Sequence, residues 1–387
     1  MTKPVHILFI SEYWPPDPGG MAVYAGEIVT RFVKMGHQVT LVLPDRGERN
    51  PVGNENLQVL LFSVPKVHAL GRLAILPVLF RQIDWVAIDV VIDLSVFPYA
   101  GVTALFCKHY KKPHYIGAHG NEVSRLFPGN GLSRVFTHYC LYAYRNATGI
   151  AANSHFTANH FRQWQIPMER IHVIPCGVNT DFFTPASPSE QELREIGGSV
   201  TGVRLVYAAM LTRLKGHELF LQSLPLIQKE FPSVTVDFAG TGPLEAELKQ
   251  LAKELKVDNL IRWHGQLPQS KLRTLFRAAN LTVLATRNDP KYYEGFGLVI
   301  AEAMACGCPV AVTNVGGQTE FVSEDTGILF EAENSLDIAT KVIQLLQNPE
   351  QLQAMRQQAR QTIQQDYTWD HSAEKWQRLL LTTQEIF

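Results

Sequence analysis

The sequence predicts an α/β protein made of two Rossmann-like domains, each a doubly wound parallel sheet. Three observations carry this. Short β-branched runs alternate with longer amphipathic ones, the pattern of βαβ units whose strands are buried on both faces. The alternation starts twice, at "VHILFIS" near the amino end and again at "VRLVYAAM" just beyond residue 200. With 387 residues, 46% hydrophobic and 18% charged, the chain is too long for one ordinary core and apolar enough to fill two.

Taken in order, "VHILFIS" reads as a strand, "AVYAGEIVTRFVKMG" as a helix ended by Gly36, and "HQVTLVLP" as the next strand. After "IHVIPCGVNTDFFTP" a polar stretch, "ASPSEQELREIGGSVTG", places a hinge near residues 177 to 200. Beyond "VRLVYAAM", the segments "SVTVDFAGTG", "LIRWHGQ", "LTVLATR", "CPVAVTN" and "TGILF" read as strands. "PLEAELKQLAKEL" and "LVIAEAMACG" read as helices between them. Expected domains are 1–178 and 179–367, followed by a segment 368–387 that is amphipathic, with Trp369 and Trp376 as large apolar anchors. Amphipathicity alone leaves its partner open, so it packs on either domain. No period of 20 to 50 residues recurs, which excludes solenoids and propellers.

Charge is nearly balanced, 35 basic against 36 acidic residues, so no overall field recruits nucleic acid and any anion site is local. One local basic cluster, "KHYKKPH" from Lys108 to His114, suits either a solvated turn or a footing on an anionic surface. The five cysteines are scattered and form no zinc or disulfide framework, in keeping with a reducing compartment. The first apolar run is interrupted by Glu12 and the longest by Asp89, Asp93 and Pro98. A cytoplasmic protein with neither secretion signal nor membrane span is expected.

Four segments of the second half look chemically committed. Arg213 and Lys215, in "LTRLKGHE", follow a strand, and two cations at the carboxyl end of a parallel strand suit a diphosphate. In "FAGTGP", Gly240 and Gly242 allow a tight turn with backbone N–H groups exposed, but Glu245 stands where a dinucleotide fingerprint needs a third glycine. In "YYEGFGLVIAEAMACG", Glu294 lies in a loop and Glu302, eight residues on, in the first turns of the following helix on the same face as Leu298. That helix start attracts anions, and ionised carboxylates accept hydrogen bonds from the hydroxyls of a hexose or ribose. Gly316 and Gly317, in "TNVGGQTEFV", line the same crevice.

These segments, with "WHGQLP", "GAHGNE" and "PPDPGGMAVYAGEIVTRFVKMGHQV", resemble the retaining glycosyltransferases of family 4, and the resemblance runs over nearly the whole chain. It implies the GT-B fold, two Rossmann-like domains facing a central cleft, with the acceptor on the first and a UDP-, GDP- or ADP-linked sugar on the second. On this sequence Arg213 and Lys215 would neutralise the diphosphate, although the family usually has arginine where Met210 stands. Glu294 would hold the sugar hydroxyls with the backbone of Gly295, Phe296, Gly297 and Leu298, and Glu302 the ribose. Gly19 and Gly20 would approach the diphosphate, and His119 would sit beside sugar and acceptor. The base would be read by the backbone near Gln266 and Leu267. Retention by front-face substitution needs no protein nucleophile, the phosphate itself taking the acceptor proton. No D-x-D occurs, so no obligatory Mg²⁺ is expected. The implied acceptors are glycans, glycolipids or small molecules of cell-envelope or polysaccharide biosynthesis, with peripheral contact to the inner face of a membrane. Alternatives are an epimerase or hydrolase of the same fold and a non-catalytic sugar-nucleotide-binding protein.

Overall fold

A computed structural model describes residues 4–17, 19–64, 73–124, 126, 131–198, 202–289 and 292–384. The chain forms two compact units, Met1–Gly177 with Trp369–Phe387, and Val178–Thr368.

The first unit holds seven parallel strands: β1 His6–Ile10, β2 Gln38–Pro44, β3 Leu57–Phe62, β4 Val90–Asp93, β5 His114–Ala118, β6 Gly149–Ala152 and β7 Ile171–Val173. They lie in the order β3-β2-β1-β4-β5-β6-β7, with Ile7 opposite Val39 on one side and Val90 on the other. Ile7, Leu8 and Phe9 are all fully buried, as an unbroken apolar run in a sheet covered on both faces must be. The first helix runs from Gly20 to Lys34, two residues ahead of the sequence expectation at each end. It buries Ala25, Ile28, Val29 and Phe32, one stripe at helical spacing. Gly36, with φ of 85°, sits just past its cap, a left-handed position that glycine takes without strain.

The last helix, Trp369–Gln384, packs on this first unit. Trp369 and Trp376 are buried, the Trp376 indole N–H donates to the Tyr24 hydroxyl at 2.7 Å, and the Ser372 hydroxyl donates to the Pro175 carbonyl at 2.6 Å. Trimming either tryptophan to alanine removes an anchor worth about 3–5 kcal/mol.

The second unit repeats the plan with six parallel strands: β8 Arg204–Ala208, β9 Thr235–Ala239, β10 Ile261–Gly265, β11 Leu281–Leu284, β12 Val310–Thr313 and β13 Gly327–Phe330. Their order is β10-β9-β8-β11-β12-β13. One departure from an aliphatic core stands at the start of β8. Arg204 is buried, its Nε donates to Asp237 at 2.7 Å, and its remaining nitrogens reach the carbonyls of Ile196 and Gly198. His264 meets the other Asp237 oxygen at 2.5 Å, so the buried carboxylate is fully partnered. Among the described residues no helix is long and apolar enough to cross a membrane.

Candidate functional site

In each sheet the strand order reverses once, between β1 and β4 and between β8 and β11. The loops leaving the carboxyl ends of such a pair turn to opposite sides and open a crevice, which is where doubly wound sheets take ligands. In the second unit the loop after β8 carries a turn, Arg213–Lys215, and Gly216 before the helix His217–Glu230. The loop after β11 runs through Glu294 to the helix Leu298–Ala305.

Tertiary contacts bind these two loops into one rim. Gly216 has φ of 60°, and a Cβ there would lie 1.8 Å from the Ala285 carbonyl oxygen, so only glycine fits. The Arg287 N–H donates to the Leu214 carbonyl at 2.8 Å. The buried Tyr207 hydroxyl accepts from the Ala285 N–H at 2.8 Å and donates to the Lys215 carbonyl. On this frame the Lys215 ammonium pairs directly with the Glu294 carboxylate, and the two side chains are only 17% and 15% exposed. Tyr207→Phe leaves the Ala285 N–H without its acceptor and is expected to cost about 1–3 kcal/mol, read as a lower urea midpoint at unchanged m. Next to Tyr207, His217 is pushed down to about 3 by burial and then by the Lys215 charge, so it is a neutral packing group and no base.

The Glu294 loop is fixed from its other side by the turn after β12. The Gly317 N–H donates to the Glu294 carbonyl at 2.9 Å. Gly316 has φ of 78°, and a Cβ there would sit 2.6 Å from that same oxygen. Phe296 turns its ring inward against Phe321 at 5.0 Å, so this residue can offer a ligand only its backbone. Gly297, at φ of 87°, caps the helix Leu298–Ala305, whose first N–H groups have no intrahelical acceptor and favour an anion. Glu302 follows one turn later, 7% exposed, and burial pushes its carboxyl up to about 8. The expected ionised acceptor is therefore largely protonated at neutral pH in the ligand-free protein.

Other expected positions divide. Arg213 is exposed and pairs with no carboxylate among the described residues, and Met210 is 64% exposed on the same loop. Gly240 departs from expectation: its N–H is not open to a ligand, because it donates to the Gly265 carbonyl at 2.7 Å. Its glycine is required by close approach, since a Cβ would lie 2.0 Å from the Ala209 oxygen, and one at Gly242 would lie 2.4 Å from the Leu211 oxygen. Gln266 and Leu267 follow β10, two strands from β8 and therefore roughly 10 Å from the crevice.

In the first unit Gly19 and Gly20 open the helix that follows β1. His119 follows β5, and its Nε2–H donates to the Leu94 carbonyl beyond β4 at 2.8 Å. The ring stands edge-on to Tyr24 at 4.5 Å, and burial lowers its pKa, so the imidazole is neutral. A Cβ at Gly117 would lie 2.9 Å from that Nε2 and 2.6 Å from the Leu94 oxygen. This glycine makes room for the histidine.

Three site features escaped the sequence reading. Tyr207 was one residue of an apolar strand, although a hydroxyl in a fully buried strand must find partners, and that was its signal. Gln318 is buried beside Gly297 with its Oε1 unpartnered while its Nε2 donates to the Thr313 carbonyl at 3.1 Å. Its signal was a glutamine directly after the glycine pair. Arg287 holds Glu218 at 2.5 Å and also Glu333, bracing the β11 loop, and no local pattern marks that trio.

Two Rossmann-like units, the second with a lysine–carboxylate pair and a glycine-capped helix at its switch point, give an α/β protein of the GT-B fold. Residues 18–182 match the family model described as Glycosyltransferase Family 4, and residues 189–362 the one described as Glycosyl transferases group 1. The chain belongs to glycosyltransferase family 4. It is 31% identical over 219 residues to the D-inositol 3-phosphate glycosyltransferase of Xylanimonas cellulosilytica, an alignment covering 55% of this chain and 51% of that protein. The chain thus spans about half the length of that relative. A Corynebacterium glutamicum protein named as a GDP-mannose-dependent monoacylated α-(1-6)-phosphatidylinositol monomannoside mannosyltransferase is 26% identical over 68% of each chain. Anabaena HepE, solved in complex with UDP and glucose, is 20% identical, with a TM-score of 0.79 over 97% of this chain and 98% of that one, and shares the fold.

Proposed function

We propose that this protein transfers a hexosyl group from a nucleoside diphosphate sugar to a hydroxyl of a glycan, glycolipid or small-molecule acceptor, with retention at the anomeric carbon. Its place would be cell-envelope or polysaccharide biosynthesis in the cytoplasm, at the inner face of the membrane. The observation that carries the reading is the Lys215–Glu294 pair at the second unit's switch point, with Glu302 on the helix that follows.

The chemistry follows from what each group can do. In the free protein Lys215 is neutralised by Glu294; a bound diphosphate supplies a second anion, and the ammonium then stabilises the charge that grows on the leaving phosphate. Glu294 is left to accept hydrogen bonds from sugar hydroxyls, beside the backbone of Gly295 to Leu298. Arg213, exposed on the same turn, adds charge without being tied elsewhere among the described residues. Glu302 takes the ribose, and the chain around Gln266 and Leu267, about two strand spacings away, takes the base. Gly19, Gly20 and the neutral His119 serve the first unit's part of donor and acceptor binding. No carboxylate acts as a covalent nucleophile; departure of the diphosphate and attack by the acceptor hydroxyl occur on one face, with the acceptor proton passing to the phosphate.

One relative is named for GDP-mannose and one fold neighbour holds UDP, so both bases belong in the test. A panel of UDP-, GDP- and ADP-sugars should contain one that raises the thermal midpoint; saturation at about a hundred times Kd adds about 2.7 kcal/mol. Nucleotide release should then require an acceptor. Release without acceptor would favour the hydrolase reading, conversion to a second nucleotide sugar without acceptor the epimerase reading, and stabilisation with no product on any acceptor a binding protein.

A further inference from the structure

His119 carries four polar groups, and among the described residues the fold uses three of them. Its backbone N–H donates to the Glu122 carboxylate, its carbonyl accepts from the Asn153 amide at 3.0 Å, and Nε2 meets the Leu94 carbonyl at 2.8 Å. A carbonyl can only accept, so the proton of the neutral ring is on Nε2 and Nδ1 keeps its lone pair. Burial lowers the ring's pKa, outweighing the Glu122 carboxylate and the Leu94 bond, and keeps it neutral. Nδ1 has no hydrogen-bond partner among the described residues. The residue is also part-exposed, whereas the strand that leads to it, His114–Ala118, is buried throughout.

An aromatic wedge holds the ring in this orientation. Tyr24, one turn into the helix Gly20–Lys34, stands edge-on to the imidazole at 4.5 Å. Turning the ring over about its Cβ–Cγ bond would bring a C–H to the Leu94 carbonyl, and Tyr24 packed against the ring, with Gly117 passing close to Nε2, resists that turn. Tyr24 is itself fixed. It is 2% exposed, Trp369 stands against it at 5.8 Å, and its hydroxyl accepts from the Trp376 indole N–H. The two tryptophans lie about two turns apart on the last helix, so one face of that helix supplies both contacts. Trp376 also meets Tyr115, on the strand that ends beside His119, at 6.4 Å.

We propose that Tyr24, backed by the last helix, is a positioning residue of the reaction: it keeps His119 in the orientation that offers the Nδ1 lone pair to a hydroxyl of the bound sugar or acceptor. The contact is a hydrogen bond from O–H to nitrogen and needs no proton transfer. The identity of that hydroxyl rests on the transferase reading above; the state of the ring does not.

The test is long-range nitrogen–proton NMR on the full chain labelled at histidine, with His119 assigned by its loss in His119→Gln. Near neutral pH the wild type should show the Nε2–H tautomer, and its Nδ1 resonance should move when donor or acceptor binds. Tyr24→Leu should populate both tautomers and lower kcat for acceptor-dependent nucleotide release about tenfold to a hundredfold, the cost of a slightly misplaced group, with the donor KM little changed. Tyr24→Met is a second ring-less variant with the same expectation. Tyr24→Phe keeps the ring, so it should keep the tautomer and most of the rate even though it strands the Trp376 N–H and lowers the thermal midpoint. A merely structural role would tie loss of rate to loss of stability in all three. An Nδ1–H tautomer or an imidazolium in the wild type overturns the proposal and needs no variant. So does a wild-type tautomer and kcat in the ring-less variants, or an Nδ1 resonance that stays in place as donor and acceptor bind. The ring's state is read in the free protein, so these outcomes are separate from a failure of the transferase reading, which the nucleotide-sugar panel reports.

Discussion

Lys215→Ala is expected to lower acceptor-dependent nucleotide release by about two to three orders of magnitude, the loss seen when one preorganised charge-stabilising group is removed from a reacting centre. The ammonium is only 17% exposed, so its field is poorly screened, and Gly216, Tyr207 and Ala285 fix the turn that carries it. In the proposed reaction it would therefore need little reorganisation as the diphosphate gains charge. The same change strands the Glu294 carboxylate at 15% exposure, with a stability cost between the roughly 1 kcal/mol of a surface pair and the roughly 3 kcal/mol of a buried one. The two effects separate experimentally. Circular dichroism should show a folded protein, and turnover should fall far more than donor affinity. Lys215→Arg should recover part of the rate, since it keeps the charge in a different shape. Wild-type nucleotide release by a folded Lys215→Ala protein would end the assignment of this crevice.

The second large effect concerns Glu302. Burial raises its carboxyl from 4.5 to about 8. Between those values the folded protein keeps a proton that the unfolded chain has already released, so this group makes stability fall as pH rises through that window. Glu302→Gln removes the slope. The variant should match the wild type near pH 5 and exceed it near pH 9, by at most about 5 kcal/mol, in denaturant titrations. Donor binding should run the other way. On the proposed role of Glu302, ribose hydroxyls would donate to the ionised carboxylate, so donor affinity should rise with pH up to about 8, and binding near neutrality should release a proton. Calorimetry in buffers of different ionisation enthalpy counts that proton. Affinity flat with pH, and identical in Glu302→Gln, would remove Glu302 from the ligand.

How legible the molecule was depended on range. Strand and helix type could be read locally, because burial on both faces demands runs such as Ile7 to Phe9, and a helix packed on a sheet demands the Ala25–Ile28–Val29–Phe32 stripe. The glycines around Glu294 were visible as well, though not all for the right reason. Gly240 looked like an amide offered to a ligand and is instead a place where two loop backbones nearly touch. The buried Arg204 gave no warning either, since its partner Asp237 lies on the neighbouring strand, 33 residues away.

From the sequence alone came two parallel doubly wound sheets and the loops on which the candidate cations and carboxylates lie, all consequences of local pattern and of where turns must fall. Tertiary structure alone decided that Lys215 meets Glu294, that Tyr207 ties their loops, that Glu302 is desolvated enough to hold a proton, and that the last helix belongs to the first unit. An amphipathic pattern states that a face must be covered without naming the cover, and a carboxyl's pKa depends on the water and charges that distant segments bring or exclude. Both are settled by neighbours in space, which the order of residues does not reveal.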